Sequence, residues 1–114
     1  MLTRLCGFAA ALCVFAIAAC DPAFDFRGRI ADSADKPIAG AKAGVVCDGL
    51  VQFSATSDQE GRFSRFAIGW RPNTCSVDVD APGHGSLRMS LKNHCAKPHG
   101  DDACLSVWID VVMP

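Results

Sequence analysis

The sequence has no cluster of basic residues, and its 11 Lys and Arg fall one short of its 12 Asp and Glu. Without a basic stripe there is little to pair with a phosphate backbone, which argues against nucleic acid as a partner. A phosphate-cradling loop and a dinucleotide fingerprint are also absent. No serine stands in a nucleophile elbow, and no other mechanistic motif is present. Ser, His and Asp occur, but composition alone puts them in a chain this small. The expectation is a chain that is not an enzyme and carries no cofactor. There is no internal repeat and no low-complexity segment. Beyond residue 19 no window carries a helical stripe of apolar residues. The one long apolar run, Leu5 to Ala19, has fifteen residues. As a helix it would span roughly 22 Å, short of the ~30 Å hydrocarbon core of a bilayer.

That run follows a single charge, Arg4, and ends in small residues, the layout of a secretory signal peptide. Its last residues, Ile17-Ala18-Ala19-Cys20, resemble the lipobox of bacterial lipoproteins: an aliphatic residue, two small ones, then cysteine. Small residues let the backbone enter a peptidase cleft, and the cysteine thiol takes a diacylglycerol before cleavage leaves it first in the mature chain. The resemblance implies a lipid anchor on Cys20, strong enough to hold a protein on a membrane once two or three acyl chains are attached. Asp21 resembles the signal that retains enteric lipoproteins in the inner membrane. The expected place is therefore the cell envelope, anchored and facing the periplasm, with Asp21 favouring the inner membrane. The expected organisation is a signal over 1–19, a lipidated tether over 20–24 and one domain over 25–114.

Removing the signal leaves 95 residues with 10 Lys and Arg against 12 Asp and Glu. A domain of that size buries a modest core, and cross-links add to it. Four cysteines remain besides Cys20: Cys47, Cys75, Cys95 and Cys104. An even number in an exported small domain reads as two disulfides, and three pairings are possible.

Short runs of alternating character lie between Pro, Gly and Asp punctuation. Phe24, Phe26 and Ile30 share a face opposite Asp25, Arg27 and Arg29. Val77 and Val79 alternate with Ser76, Asp78 and Asp80; Leu87, Met89 and Leu91 alternate with Arg88, Ser90 and Lys92. Leu105, Val107, Ile109 and Val111 share another face. Period two with one apolar face marks half-buried strands. Seven are expected, over 25–31, 41–47, 51–57, 62–68, 75–80, 86–91 and 104–112, and so many short strands imply an all-β sandwich or barrel. Trp70 and Trp108 read as core or edge aromatics, and His84 as a packing or loop residue.

Gly28, the segment Pro37-Ile38-Ala39-Gly40-Ala41, the run Thr56 to Phe63, and Ala81-Pro82-Gly83-His84 occur in an order that resembles the carboxypeptidase regulatory-like domain. That family is a sandwich of transthyretin-like topology, so the resemblance implies a seven-stranded, antiparallel-rich β-sandwich. The residues agree. Pro37 and Gly40 suit a strand connection, and Asp58 to Gly61 suits a hairpin turn. Asp58 and Glu60 offer two carboxylates near a glycine, but a calcium loop supplies more oxygens at fixed spacing. The resemblance also implies that the second and fifth strands are antiparallel neighbours. It thereby pairs Cys47 with Cys75 and leaves Cys95 with Cys104.

Lys92 to Cys104 departs from the family. His94, Cys95, His99 and Cys104 have the chemistry of a zinc set, but their spacing fits no finger and an oxidising compartment favours the disulfide. The loop is read as a cross-linked surface, with His94, His99, Asp101 and Asp102 as a candidate recognition set. The functional expectation is a membrane-anchored, non-catalytic module that binds or supports another envelope protein. The alternative is a periplasmic metal-handling protein using the His94–Cys104 loop.

Overall fold

The computed structural model describes residues 23–114. The expected signal peptide, the lipidation site Cys20 and Asp21 lie outside the described residues. Nine strands form two sheets. They are β1 (Ala23–Asp32), β2 (Lys42–Cys47), β3 (Leu50–Thr56), β4 (Arg62–Ile68), β5 (Arg71–Pro72), β6 (Ser76–Ala81), β7 (Gly85–Ser90), β8 (Cys95–His99) and β9 (Ala103–Met113). One sheet runs β4-β1-β9-β5, with β8 also on β9; the other runs β3-β2-β6-β7. All pairings are antiparallel except β1 with β9.

The all-β sandwich expected from the sequence is the observed architecture, and each of the seven expected strands is present. Two more were not foreseen. β5 is two residues long, and β8 carries Pro98 and shifts register around Lys97, so neither shows a period. β1 also starts earlier than expected, so Ala23 and Phe24 belong to the strand and not to the tether.

Alternation fills the space between the sheets. β1 sends in Phe24, Phe26 and Ile30, β9 sends in Val107, Ile109, Val111 and Met113, and β6 sends in Val77 and Val79. Phe53 closes the β3–β4 edge, with its ring centroid 5.7 Å from Phe24 and 5.9 Å from Phe26. Phe63 packs 5.0 Å from Phe26. Each such side chain contributes about 1.5–3 kcal/mol on burial. Gly28 faces inward between them. A Cβ there would run into the Ile109 carbonyl and sit 2.7 Å from the Phe63 ring, so the packed rings require glycine. The single buried polar side chain among the described residues, Ser57, is satisfied at both ends. It donates to the Ile38 carbonyl at 2.6 Å and accepts from the Ala41 amide at 2.9 Å, pinning the Pro37–Ala41 connection. At the next turn Asp58 Oδ1 accepts from the amides of Glu60 and Arg62, and Gly61 takes a φ of 75°.

Cys47 is bonded to Cys75 and Cys95 to Cys104. β2 and β6 are antiparallel neighbours, which brings the end of one beside the start of the other. The first bridge spans 28 residues and the second 9. Because loop-closure entropy grows with span, replacing Cys47 and Cys75 by alanine should cost about 3.5 kcal/mol, against about 2.5 kcal/mol for Cys95 and Cys104. Thermal unfolding without reductant checks the order, and an equal or inverted ranking contradicts it.

Candidate ligand groove

The outer face of the β3-β2-β6-β7 sheet is concave at its centre. β2 sends Ala43 and Val45 into the core, so Lys42 and Gly44 face out. A register shift between Val45 and Val46 then places Val46 on the outer face opposite Val51. β6 buries Val77 and Val79 and turns Asp78 and Asp80 outward. Gly44 lies across from Asp78 on one side and Ser54 on the other, so at this level β2 puts no side chain on the floor, between Lys42 and Val46 of the same strand. The resulting open groove has a volume of about 580 Å³, within the usual range for small-ligand sites. Val46 and Val51 supply apolar wall, and Lys42, Asp78, Asp80, Ser86 and Arg88 supply charge and hydrogen bonds.

The polar wall is ordered by one fork. Arg88 donates from Nε to Asp78 Oδ1 and from Nη2 to Asp78 Oδ2, both at 2.8 Å. These bonds hold the Asp78 carboxyl below its ordinary value, against a smaller opposing effect of burial, and raise Arg88. Ser86 Oγ donates to Asp80 at 3.3 Å, which leaves most of the Asp80 carboxylate open to the groove. Lys42 is the cross-strand partner of Asp80. A second groove of about 420 Å³ lies on the other sheet, among Arg27, Arg29, Arg62, Trp108 and Asp110. Its cations are partly engaged, Arg27 by Asp25 and Arg29 by Asp35.

The candidate recognition loop lies elsewhere. It forms a short 3₁₀ turn, Leu91–His94, and then the β8–β9 hairpin, with Gly100, Asp101 and Asp102 at its tip. His99 stacks on Trp70 at 5.9 Å. The metal-handling alternative does not survive this geometry. The disulfide occupies both Cys95 and Cys104, and an extended β8 separates His94 from His99 by roughly 16 Å at the usual strand rise. Neither tryptophan is in the core: Trp70 is 46% exposed beside β5, and Trp108 is 51% exposed on the outer face of β9. His84 is a loop residue whose Nδ1 lies 3.2 Å from the Pro114 carbonyl.

The groove residues Lys42, Gly44, Asp80 and Arg88 were not singled out in the sequence. A glycine inside an otherwise β-forming run was the available signal, because strand glycines mark bulges and close approaches of ligand or backbone.

Solved structures share this sandwich. The chlorocatechol 1,2-dioxygenase of Pseudomonas putida aligns with a TM-score of 0.59 at 13% identity, over 82% of this chain and 60% of that one. The hydroxyquinol 1,2-dioxygenase of Pseudomonas putida DLL-E4 aligns at 0.54 and 17% identity, over 82% and 56%. The dioxygenase domain of a dioxygenase carbohydrate-binding protein fusion from Streptomyces sp. SirexAA-E aligns at 0.55 and 16% identity, over 82% and 80%. The chain thus spans less than two thirds of the first two. No family model matches the chain, and no curated protein matches it.

At these identities the likeness shows the fold, and it corrects the functional expectation. The non-catalytic, non-enzyme reading rested on a sandwich family taken to present other domains. The solved structures that share this sandwich are enzymes, so the reading is overturned. Dioxygenation needs a metal or organic cofactor to activate oxygen. Among the described residues no three His, Cys, Asp or Glu side chains converge as metal ligands, and the four cysteines there are spent in disulfides. These residues do not fit such a metal, and no reaction step follows through one.

The Asp78–Arg88 fork has a pH signature. A carboxyl held low in the folded state stabilises above its ordinary pKa of about 4, and that contribution is lost as pH falls through the lower folded value. Arg88→Gln should therefore flatten the acid limb of the stability curve below about pH 4 and leave the neutral limb's shape unchanged. Parallel acid limbs in thermal melts of the two proteins would contradict the fork.

Proposed function

We propose that this chain is an envelope lipoprotein whose sandwich takes a small aromatic diol into the groove on the β3-β2-β6-β7 sheet. The signal-like start, Ile17 to Cys20 and the two disulfides support an exported, lipid-anchored chain, held by lipid on Cys20 and facing the periplasm. Asp21 favours the inner membrane. The carboxypeptidase regulatory-like resemblance accords with the β2–β6 pairing and with the turns at Gly40 and Gly61.

The observation that carries the ligand reading is the floor at Gly44, between an open carboxylate and an apolar wall. Two adjacent hydroxyls can donate side by side to one carboxylate, here Asp80, while Lys42 across the strand pair donates to a hydroxyl oxygen. The ring then lies against Val46 and Val51. Catechols and hydroxyquinol are the compounds named for the solved structures of like fold, which makes them the probes to use.

Titration of the protein with catechol and hydroxyquinol, followed by amide chemical shifts, should move Gly44, Asp80 and their neighbours. Oxygen uptake in the same samples separates binding from turnover. Gly44→Val is the control. A Cβ there meets only ordinary contacts, the nearest at 3.4 Å from the Phe53 carbonyl oxygen, so the fold is kept. Stability should stay level or rise by up to about 1 kcal/mol, while the shifts disappear. Shifts that persist in Gly44→Val, or none in the parent, would sink the groove reading.

A further inference from the structure

The end of the sandwich where the tether enters is also its apolar end. Antiparallel pairing sets Ile68 beside Ala23 and Phe66 beside Asp25, both on the face of β4 turned away from the core. Trp70 follows two residues on. β3 and β4 are joined through the Ser57–Gly61 turn at the far end, so Leu50 and Val51 at the start of β3 return to the tether end. Ile68 is 77% exposed, and Leu50, Val51 and Phe66 are more than half exposed. Together with Trp70 they are five of the eight exposed large apolar side chains among the described residues. Arg71 also lies at this end but turns inward, its guanidinium 5.3 Å from the Phe53 ring and 5.7 Å from the Phe24 ring, and its Nη1 3.1 Å from the Ile68 and Trp70 carbonyls.

We propose that this end docks on the bilayer surface, with Ile68, Leu50 and Phe66 entering the headgroup boundary and Trp70 at the interface. The inference rests on the lipid-anchor reading of Cys20. What selects lipid as the occupant is chain length. Cys20 to Ala23 is three residues, and three residues reach at most about 11 Å. A lipid on Cys20 therefore holds the start of β1, and Ile68 with it, against the membrane. Aliphatic side chains gain by leaving water there, and tryptophan is favoured at the interface. Asp25, the acid closest in register to Phe66, is neutralised by Arg27 at 2.8 Å. Asp48 in the β2–β3 turn remains an exposed acid at this end.

The test uses the full lipidated chain in vesicles of phosphatidylethanolamine and phosphatidylglycerol carrying a nitroxide near the top of the acyl chain. Trp108→Phe leaves Trp70 as the sole reporter. Trp70→Phe leaves Trp108, on the outer face of β9 level with Arg27. Trp70 emission should be blue-shifted and quenched, and Trp108 emission should be neither. Ile68→Glu combined with Phe66→Glu changes only exposed positions and should remove most of the Trp70 quenching without altering the circular dichroism spectrum. A lipidated chain with unquenched Trp70 overturns this inference and leaves the anchor standing, as does a protein partner that shields Trp70 from lipid. A chain recovered from cells without lipid overturns the anchor and the docking together.

Discussion

The parallel pairing of β1 with β9 is the constraint on which the rest depends. It joins the first and last long strands through eight register pairs, Asp25 with Ser106 through Asp32 with Met113. Parallel neighbours need a long connection, and here the whole of β2 to β8 is that connection. The inward residues of this pair, from Phe26 to Val111, form one wall of the core. Gly28 in the middle of β1 lets Phe63 and the Ile109 backbone close over it. Because β9 also carries β5 and β8, the second disulfide is attached to the same spine. The pairing further fixes the level at which Ala23 enters the sandwich, and so which side chains surround the start of β1.

Where one face of a strand is buried and the other wet, the sequence was readable. Phe24-Asp25-Phe26-Arg27, Val77-Asp78-Val79-Asp80 and Val107-Trp108-Ile109-Asp110 alternate because the pleat alternates. The disulfide pairing was legible one step further on, through the topology that the family resemblance implies. What was not legible lacks a period. β5 is too short to have one, and β8 is mostly exposed, so burial writes no pattern into it. β4 is the instructive case. Phe63 and Ala67 face in, but Phe66 and Ile68 face out, so apolar residues occupy both parities and alternation alone does not mark the inner face. The same excess of apolar side chains is what the tether end presents to its surroundings. The groove was hidden for another reason: it is made by register, which sets Gly44 between Asp78 and Ser54, and register is a property of paired strands rather than of any one of them.

The functional expectation failed at the step from fold to role. A sandwich resembling a domain that accompanies others was read as non-catalytic, yet the same architecture is found in chlorocatechol and hydroxyquinol 1,2-dioxygenases. A fold constrains where a groove can form but not what chemistry is set into it. In this chain the face of the β3-β2-β6-β7 sheet combines an ordered ion pair, an open carboxylate and an apolar wall. That local chemistry, more than the architecture, is the basis for a ligand reading.

The compartment is central to the account, because it decides whether the cysteines are bridges or thiols and whether the apolar end meets lipid. The most direct test is the intact mass of the chain extracted in detergent from its own type of cell, non-reduced, after free thiols are blocked. The account predicts a chain beginning at Cys20, heavier by its acyl chains, with no blocked thiol. A chain without lipid, or one with blocked cysteines among Cys47, Cys75, Cys95 and Cys104, would contradict it.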